Sequence, residues 1–316
     1  MPRTVARTLA LLLLALSALR TTAQTAPARP VPGLDRVVLI SIDGLRPDVL
    51  LRADAPAIRQ LMDRGSFTLW ANTTDVAITL PSHTSMVTGV SPQKHGVTWN
   101  DDSKLTTYPK VPTLFELAHR AGYTTALVAG KRKFESLARP GTVDALSIPL
   151  GTSKVADDAV RDAAIDLIRT RHPDVLMVHF PQTDAVGHAD GWGSPQQLAT
   201  VANADRGVAA IVAALRAQGL LDTTLIIVTA DHGGAGKGHG GLDPRSRHIP
   251  WIVAGPGVRQ NYDLTLDDKL VVNTTDTFAT ILYVLGLPVP DYAEGKPITE
   301  AFAAGRQAAS APATGR

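Results

Sequence analysis

Short apolar runs rich in β-branched residues alternate along the chain with longer amphipathic stretches, from Arg36 to about Leu287. The apolar runs predict strands and the amphipathic stretches predict helices, several of which are closed by glycine. The predicted strands are residues 36–42, 66–71, 124–129, 174–180, 224–230 and 250–255. The predicted helices are residues 55–65, 112–122, 155–170, 194–219 and 275–286. Strands that alternate with helices in this way are typical of an α/β fold with a mainly parallel sheet.

The two ends of the chain depart from this pattern. Arg3 and Arg7 precede the apolar run LALLLLALSAL, and small uncharged residues follow it, which predicts a signal peptide cleaved near Ala23 and a secreted or periplasmic protein. The apolar run is about half the ~20 residues that a membrane span requires, so no span is expected after cleavage. The predicted organisation is a signal peptide over 1–23, a linker over 24–35, one domain over 36–300 and a tail over 301–316. The linker and the tail are expected to be mobile.

Composition narrows the class of protein. The chain has 316 residues, 44% of them hydrophobic, which is enough for a large core. The formal charge is +2, and removing Arg3, Arg7 and Arg20 with the leader lowers it by three, to −1. We therefore expect no nucleic-acid-binding surface. The chain contains no cysteine, so an exported form must rely on its core or on bound metal instead of disulfides.

Acidic residues and histidines follow three of the most apolar predicted strands. The segment after each strand begins or contains such residues: Asp43-Gly44 after 36–42, PQTDAVGH after 174–180, and DHGGAGKGHGG after 224–230. The carboxyl ends of parallel strands meet at one edge of a sheet, where ligands bind. Each segment also has a plainer interpretation, as a turn, a surface ion pair or a loop. Their shared position at strand ends favours a metal site.

The spacing of these residues suits metal ligation. Asp184 and His188 are four residues apart and would share one face of a helical turn. Asp231 and His232 are adjacent, and His239 follows in a glycine-rich loop. Asp43, Asp184 and Asp231 would repel one another without cations. Mixed imidazole and carboxylate ligands suit two divalent ions, Zn²⁺ first, although manganese or iron would tolerate the same residues.

The remaining histidines are assigned from their context. His248 lies near the same loop as His239 and could replace it as a ligand, so this choice stays open. We expect structural roles for His119, His172 and His179.

In the segment AITLPSHTSMVTG, residues 77–89, the hydroxyl residue Thr79 precedes a short helical run that ends at Gly89. Thr79 can be read as a helix cap or as a nucleophile, and a nearby divalent cation would make its hydroxyl reactive. The amino end of the helix would then present free N–H groups to an anion. Asn100 is a candidate donor to such an anion, or the cap of a turn.

Four segments occur in an order that resembles the nucleotide pyrophosphatase/phosphodiesterase branch of the alkaline phosphatase superfamily. They are LISIDGLRPD, TLPSHTSMVTGVSPQKHGV, DAVGH and TADHGG…HGG…IPWIVAGPGV. The resemblance spans about Val37 to Gly286 and implies a three-layer α/β sandwich. It implies transient phosphorylation of Thr79, with Asn100 contacting the phosphoryl group. It also implies one zinc held by Asp43, Thr79, Asp231 and His232, and a second held by Asp184, His188 and His239.

Two departures from the family pattern bear on the substrate. Leu80 stands where the nucleotide hydrolases of this family carry an aromatic residue that stacks on a base, so Leu80 is expected to contact substrate by apolar area alone. The long insertion between the Asp-His pair and the last histidine ligand is missing, so no large cap domain is expected. Sulfatases of this superfamily require cysteine or serine at the nucleophile, so Thr79 is expected to give at most a side activity on sulfate esters.

Lys131 and Lys133, in AGKRKF, resemble a lysine pair that phosphonoacetate hydrolases use on their substrate. They could equally form a solvated basic turn. The leading hypothesis is a phosphodiesterase or pyrophosphatase that acts on a small-molecule phosphoester. A phosphomonoesterase or phosphonate hydrolase on the same site is the first alternative, and an inactive metal-binding protein is the second.

Overall fold

A central eight-stranded sheet organises the chain in the computed structural model, which describes residues 29–149 and 157–303. The strands are β1 (Arg36–Ile42), β2 (Gly65–Asn72), β3 (Thr125–Ala129), β4 (Ala145–Ser147), β5 (Val175–Phe180), β6 (Thr224–Thr229), β7 (His248–Ala254) and β8 (Tyr262–Asp263). Their spatial order is β4-β3-β5-β1-β6-β7-β2-β8. Within the described residues, β7 alone runs against its neighbours.

Helices cover both faces of the sheet. They are α1 (Pro47–Arg52), α2 (Pro56–Asp63), α3 (Thr79–Thr88), α4 (Pro92–His95), α5 (Leu114–Arg120), α6 (Asp157–Arg171), α7 (Gln182–Asp190), α8 (Pro195–Ala217), α9 (Pro244–Arg247) and α10 (Thr274–Val284). One layer packs α1, α2, α6 and α7 around α8, and the other packs α4, α5 and α10 around α3. The predicted three-layer α/β sandwich is therefore confirmed.

The six predicted strands all occur. Five of them are apolar runs buried on both faces of the sheet, whereas β2 has the exposed Trp70. Strands β4 and β8 were not predicted, since runs of three and two residues give no periodic pattern. The five predicted helices also occur, although residues 155–156 of one lie outside the described residues. The short helices α1, α4 and α9 were missed for the same reason as the short strands.

The chain ends fall partly outside the described residues. The predicted signal peptide and most of the tail lie there. In the described part of the predicted linker, Val31 and Leu34 are buried in the core, while Pro30, Pro32, Gly33 and Asp35 are exposed. Ala301 and Phe302 are buried as well, and an isolated bridge joins Phe302 to Val258. Buried residues thus also lie just before residue 36 and just after residue 300.

Helix α8 is the one helix of the described residues that is long and apolar enough to cross a membrane. Its buried residues include Val201, Val208, Ile211 and Leu215, and it packs against α2, α6 and α7. These contacts are those of a core helix.

Candidate active site

Thr79 is the first residue of α3 and lies at the carboxyl edge of the sheet, with 1% of its surface exposed. Ile78 occupies the N-cap position and makes no side-chain capping bond, so the Thr79 hydroxyl does not cap the helix. Ala77, just before it, adopts a left-handed backbone with φ of 45°, a conformation that costs energy in a residue with a side chain. The Thr79 Oγ1 atom is 3.5 Å from both His232 Nε2 and Lys131 Nζ.

The amino end of α3 offers fewer free N–H groups than the sequence suggests. The Leu80 N–H donates to Asn100 Oδ1 at 2.9 Å. Pro81 has no N–H, and the Ser82 N–H donates to the Ile78 carbonyl. Any anion beside Thr79 must therefore be bound mainly by side chains or cations.

Two groups of potential metal ligands lie beside Thr79. The first contains Asp43, Asp231 and His232, all fully buried at the ends of β1 and β6. The second contains Asp184 and His188 from α7 with His239 from the loop after β6. The groups adjoin each other, since the rings of His232 and His239 stack at 3.7 Å.

Each of the three histidines in these groups is oriented by a backbone carbonyl. The Nδ1 atoms of His188, His232 and His239 lie 3.0, 2.8 and 2.9 Å from the carbonyl oxygens of Lys237, Gly233 and Ala77. A carbonyl only accepts, so each Nδ1 carries the proton and each Nε2 presents a lone pair to the site. This is the arrangement that metal-binding histidines adopt.

Distances within the groups fit cations. One oxygen of each carboxylate is buried without a hydrogen-bond partner among the described residues, namely Asp43 Oδ1, Asp184 Oδ1 and Asp231 Oδ2. Asp43 Oδ1 and Asp231 Oδ2 lie 3.4 and 3.2 Å from His232 Nε2, and Asp184 Oδ1 lies 3.3 and 3.5 Å from the Nε2 atoms of His188 and His239. Ligand atoms around a tetrahedral zinc, with bonds of about 2.0–2.1 Å, are about 3.3–3.4 Å apart. The two groups therefore fit two such ions.

Glycines shape the loop that carries His232. A Cβ on Gly233 would lie 2.2 Å from the Arg245 carbonyl oxygen, and one on Gly234 would lie 2.3 Å from the Trp192 ring. The two glycines after His232 are thus required by close packing, and not only by loop flexibility.

Lys131 joins the two groups. Its Nζ lies 2.7 Å from Asp43 Oδ2 and 2.7 Å from Asp184 Oδ2. Burial acts to lower the pKa of Lys131, but the two carboxylates outweigh burial and raise it. Lys131 therefore stays charged and is part of the site, so it is not in a solvated basic turn.

The carboxylates titrate differently because their surroundings differ. Burial opposes ionisation of Asp43, but Lys131 and His179 outweigh it and hold its pKa well below the usual range. Burial and the charge of Asp43 also oppose ionisation of Asp184, yet His188 and Lys131 bring its pKa to about 2. Burial and Asp43 raise the pKa of Asp231 well above its usual value. Asp231 therefore has the greatest need of a cation to ionise.

Two buried histidines, His179 and His83, contact residues of the site without belonging to either ligand group. His179 Nε2 lies 2.9 Å from Asp43 Oδ2, so this histidine orients a candidate ligand. His83 Nε2 lies 2.7 Å from Ser41 Oγ, and its Nδ1 lies 2.8 Å from the Thr79 carbonyl oxygen. The sequence predicted a purely structural role for His179, but this histidine contacts a candidate ligand, and its Nδ1 has no hydrogen-bond partner among the described residues. The role of His83 was missed, although its spacing of four residues from Thr79 places both on one face of α3.

Asn100 and Lys133 also reach the site, but in contact with each other. Lys133 Nζ donates to Asn100 O at 2.5 Å and to Asn100 Oδ1 at 3.1 Å. Asn100 is thus held beside the peptide bond that joins Thr79 to Leu80.

Two expectations from the sequence change. Leu80 was expected to contact substrate, but its side chain is fully buried and packs in the core, because this position of α3 faces inward. His248 was the alternative to His239. It stands at the start of β7, stacks on Trp70 with ring centroids 4.2 Å apart and belongs to neither ligand group.

A family model and several known proteins match this chain in sequence. Residues 37–237 match the family model described as type I phosphodiesterase / nucleotide pyrophosphatase. Human ectonucleotide pyrophosphatase/phosphodiesterase family member 7 is 25% identical over 242 residues, 71% of this chain and 53% of that protein. Human family member 5 is 24% identical over 228 residues, 64% of this chain and 45% of that protein. The chain thus spans about half the length of these relatives.

Solved structures share the fold. An inactive variant of murine ectonucleotide pyrophosphatase/phosphodiesterase 5 in complex with AMP aligns with a TM-score of 0.71 at 16% identity, over 85% of this chain and 100% of that one. A 2-O GAG sulfatase aligns equally well, with a TM-score of 0.71 at 16% identity over 88% of this chain and 76% of that one.

Proposed function

The chain belongs to the type I phosphodiesterase / nucleotide pyrophosphatase family, and from this premise we propose that it hydrolyses phosphoester bonds with Thr79 as nucleophile and two divalent cations, Zn²⁺ first. The observation that carries the proposal is the position of Thr79. Its hydroxyl lies at the start of a helix, 3.5 Å from His232 Nε2, and does not cap the helix. That distance also fits Thr79 as a fourth ligand beside Asp43, Asp231 and His232.

The side chains have distinct tasks in this reaction. Asp43, Asp231 and His232 would hold one cation with Thr79, and Asp184, His188 and His239 would hold the other. When bound, the cations lower the pKa of the threonine hydroxyl and neutralise charge on the leaving oxygen. Thr79 Oγ1 attacks phosphorus, its proton passes to solvent, and the alcohol or phosphate leaving group departs with its bonding electrons. Water then cleaves the Thr79 phosphoester and regenerates the hydroxyl.

The first-choice substrates are phosphodiesters and pyrophosphates, as in the relatives named above. A second class, phosphate monoesters or phosphonates, is favoured by Lys131. Its ammonium is 3.5 Å from Thr79 Oγ1, within reach of an oxygen of a phosphoryl group on Thr79. A terminal phosphate carries more negative charge than a diester and would gain more from this contact.

The test compares wild type, Thr79→Ala and Thr79→Ser after loading with Zn²⁺. Each protein is assayed on an aryl phosphodiester, an aryl phosphate monoester, an aryl phosphonate and an aryl sulfate. We expect Thr79→Ala to lose at least about a thousandfold in kcat on the best phosphoester, because the covalent route is gone, and Thr79→Ser to retain part of the activity.

The outcomes separate the alternatives. Full activity of Thr79→Ala would refute the nucleophile. Faster hydrolysis of the monoester than of the diester would select the second substrate class. Bound zinc without turnover on any ester would indicate an inactive metal-binding protein.

We also propose that the protein is exported. The proposal rests on the composition of residues 1–23, and the ectonucleotide names of the relatives are consistent with it.

A further inference from the structure

Lys131 and Lys133 are two residues apart at the end of β3 and reach the same edge of the sheet, but they have different partners. Lys131 contacts the carboxylates of Asp43 and Asp184. Lys133 forms no ion pair with any carboxylate of the described residues and donates instead to the backbone and side-chain oxygens of Asn100. The two lysines therefore have separate roles.

Contacts of Asn100 fix the orientation of its carboxamide. Its Oδ1 lies 2.9 Å from the Leu80 nitrogen and 3.1 Å from Lys133 Nζ. Both partners are donors, so the oxygen must face them and the NH₂ group must face the other way. Since the Leu80 nitrogen belongs to the peptide bond after Thr79, the Asn100 carboxamide lies beside the backbone of the nucleophile.

The segment that carries Asn100 needs such an anchor. Residues 96–100 have no regular secondary structure. Lys133 holds both oxygens of Asn100 at once, so it fixes the backbone and the side chain together. Lys133 is partly buried, and burial, and then the nearby charge of Lys131, lower its pKa. A hydrogen bond from an ammonium is stronger there than in water.

We infer that Lys133 is a positioning residue that holds Asn100 so that its NH₂ group donates to the phosphoryl group on Thr79, and that Lys133 does not itself contact substrate. The inference rests on the proposed function. It assigns the two lysines different tasks, with Lys131 as the cation beside the reacting atoms and Lys133 acting only through Asn100.

A double-mutant cycle tests this assignment. The proteins are wild type, Lys133→Met, Asn100→Ala and the double variant, all loaded with Zn²⁺ and assayed on the best aryl phosphoester. Loss of one preorganised donor costs about 10²-fold in kcat, so we expect that loss in Asn100→Ala and about tenfold in Lys133→Met. If Lys133 acts only through Asn100, the double variant is no slower than Asn100→Ala. Losses that multiply to about 10³-fold would overturn the inference, as would an unchanged Lys133→Met.

Further variants separate positioning from folding. Lys133→Arg keeps the donors and should stay within about threefold of wild type. Arg132→Met is the matched control, because Arg132 is exposed and pairs with Glu135 in the same turn. It should leave kcat unchanged. If Lys133→Met fails to fold, Lys133→Gln replaces it, with thermal unfolding used to confirm the native state.

Failure of the proposed function gives a different result. In that case wild type itself shows no turnover, or Thr79→Ala remains active. If wild type is active through Thr79 and the cycle is multiplicative, only the role of Lys133 is wrong.

Discussion

Leu80 shows how the direction of one side chain decides its role. It follows Thr79 in the chain, where the family pattern suggests contact with substrate, but it is fully buried. Its backbone N–H, and not its side chain, serves the site by fixing Asn100.

We expect Leu80→Ala to lower the free energy of unfolding by about 3 kcal/mol, because it leaves a cavity in the core. KM for a phosphoester should change little. Urea denaturation and steady-state kinetics measure the two quantities on the same preparation. A raised KM with unchanged stability would show that Leu80 faces substrate after all.

Residues whose chemistry is visible in the sequence were easier to predict than those that act through hydrogen bonds. The two ligand groups follow from acidic residues and histidines after apolar strands, and the structure brings all six together. The contact between Lys133 and Asn100 joins positions 33 residues apart through a loop, and no local pattern encodes it. The same holds for the choice between His239 and His248, which depends on the course of a glycine-rich loop.

At the scale of elements, His95 joins α4 to the nucleophile helix α3. The Val97 N–H donates to His95 Nδ1 at 3.0 Å, so the proton of the neutral ring is on Nε2, 3.2 Å from the Pro81 carbonyl oxygen. Protonation would place a second donor against the Val97 N–H. Burial lowers the pKa of His95 to about 4.

The pH dependence of stability follows from this lowered pKa. The unfolded chain binds a proton at His95 near pH 6.5 and the folded chain only near pH 4, so the free energy of unfolding falls as pH drops through this range. The fall attributable to His95 is at most about 3 kcal/mol. Urea denaturation at pH 7, 5.5 and 4.5 should show a shallower fall for His95→Asn than for wild type.

The control for this measurement is His172→Asn. His172 is exposed and has φ of 49°, which asparagine tolerates, so the variant should keep the wild-type slope. Parallel slopes for wild type and His95→Asn would contradict the assignment.

Sequence patterns identify long strands and helices, but they do not predict the contacts that short segments make. Strands β1, β5 and β6 are buried apolar runs, and their carboxyl ends could be aligned before the structure was known. The amino end of α3 could not be interpreted fully. Which of its N–H groups are free depends on Asn100, which accepts from the Leu80 N–H, and on the Ile78 carbonyl, which accepts from the Ser82 N–H. The first is a tertiary contact and the second depends on the local geometry of the helix start.

At the scale of the whole molecule, the ligand groups join segments that are far apart in the chain. Asp43 follows β1, Asp184 lies in α7 after β5, and Asp231 follows β6. Bound cations would therefore tie the middle of the sheet to the loops that surround it, in a protein without disulfides.

We expect removal of metal by a chelator to lower Tm, and addition of Zn²⁺ to restore it. Ligand at a hundredfold excess over Kd stabilises by about 3 kcal/mol, which corresponds to roughly 6–12 °C for a domain of this size. Calorimetry with and without chelator measures the shift. Asp184→Asn should reduce it, whereas His119→Gln, at a surface pair with Asp144, should not. An identical Tm with and without chelator would contradict metal binding.

Strand β7 runs in the opposite direction to its neighbours, and this affects the connection that carries Asp231, His232 and His239. Because β6 and β7 are antiparallel neighbours, residues 230–247 leave the sheet and return to it at adjacent positions on one edge. Asp231 and His232 lie at the start of this connection, and His239 lies near its middle. A connection anchored side by side at both ends can be lengthened at small entropic cost without moving either strand. A lid grafted at the exposed Leu242, outside the segment in which Gly233, Gly234 and Lys237 shape the ligand groups, could therefore change substrate choice while the reaction centre stays in place.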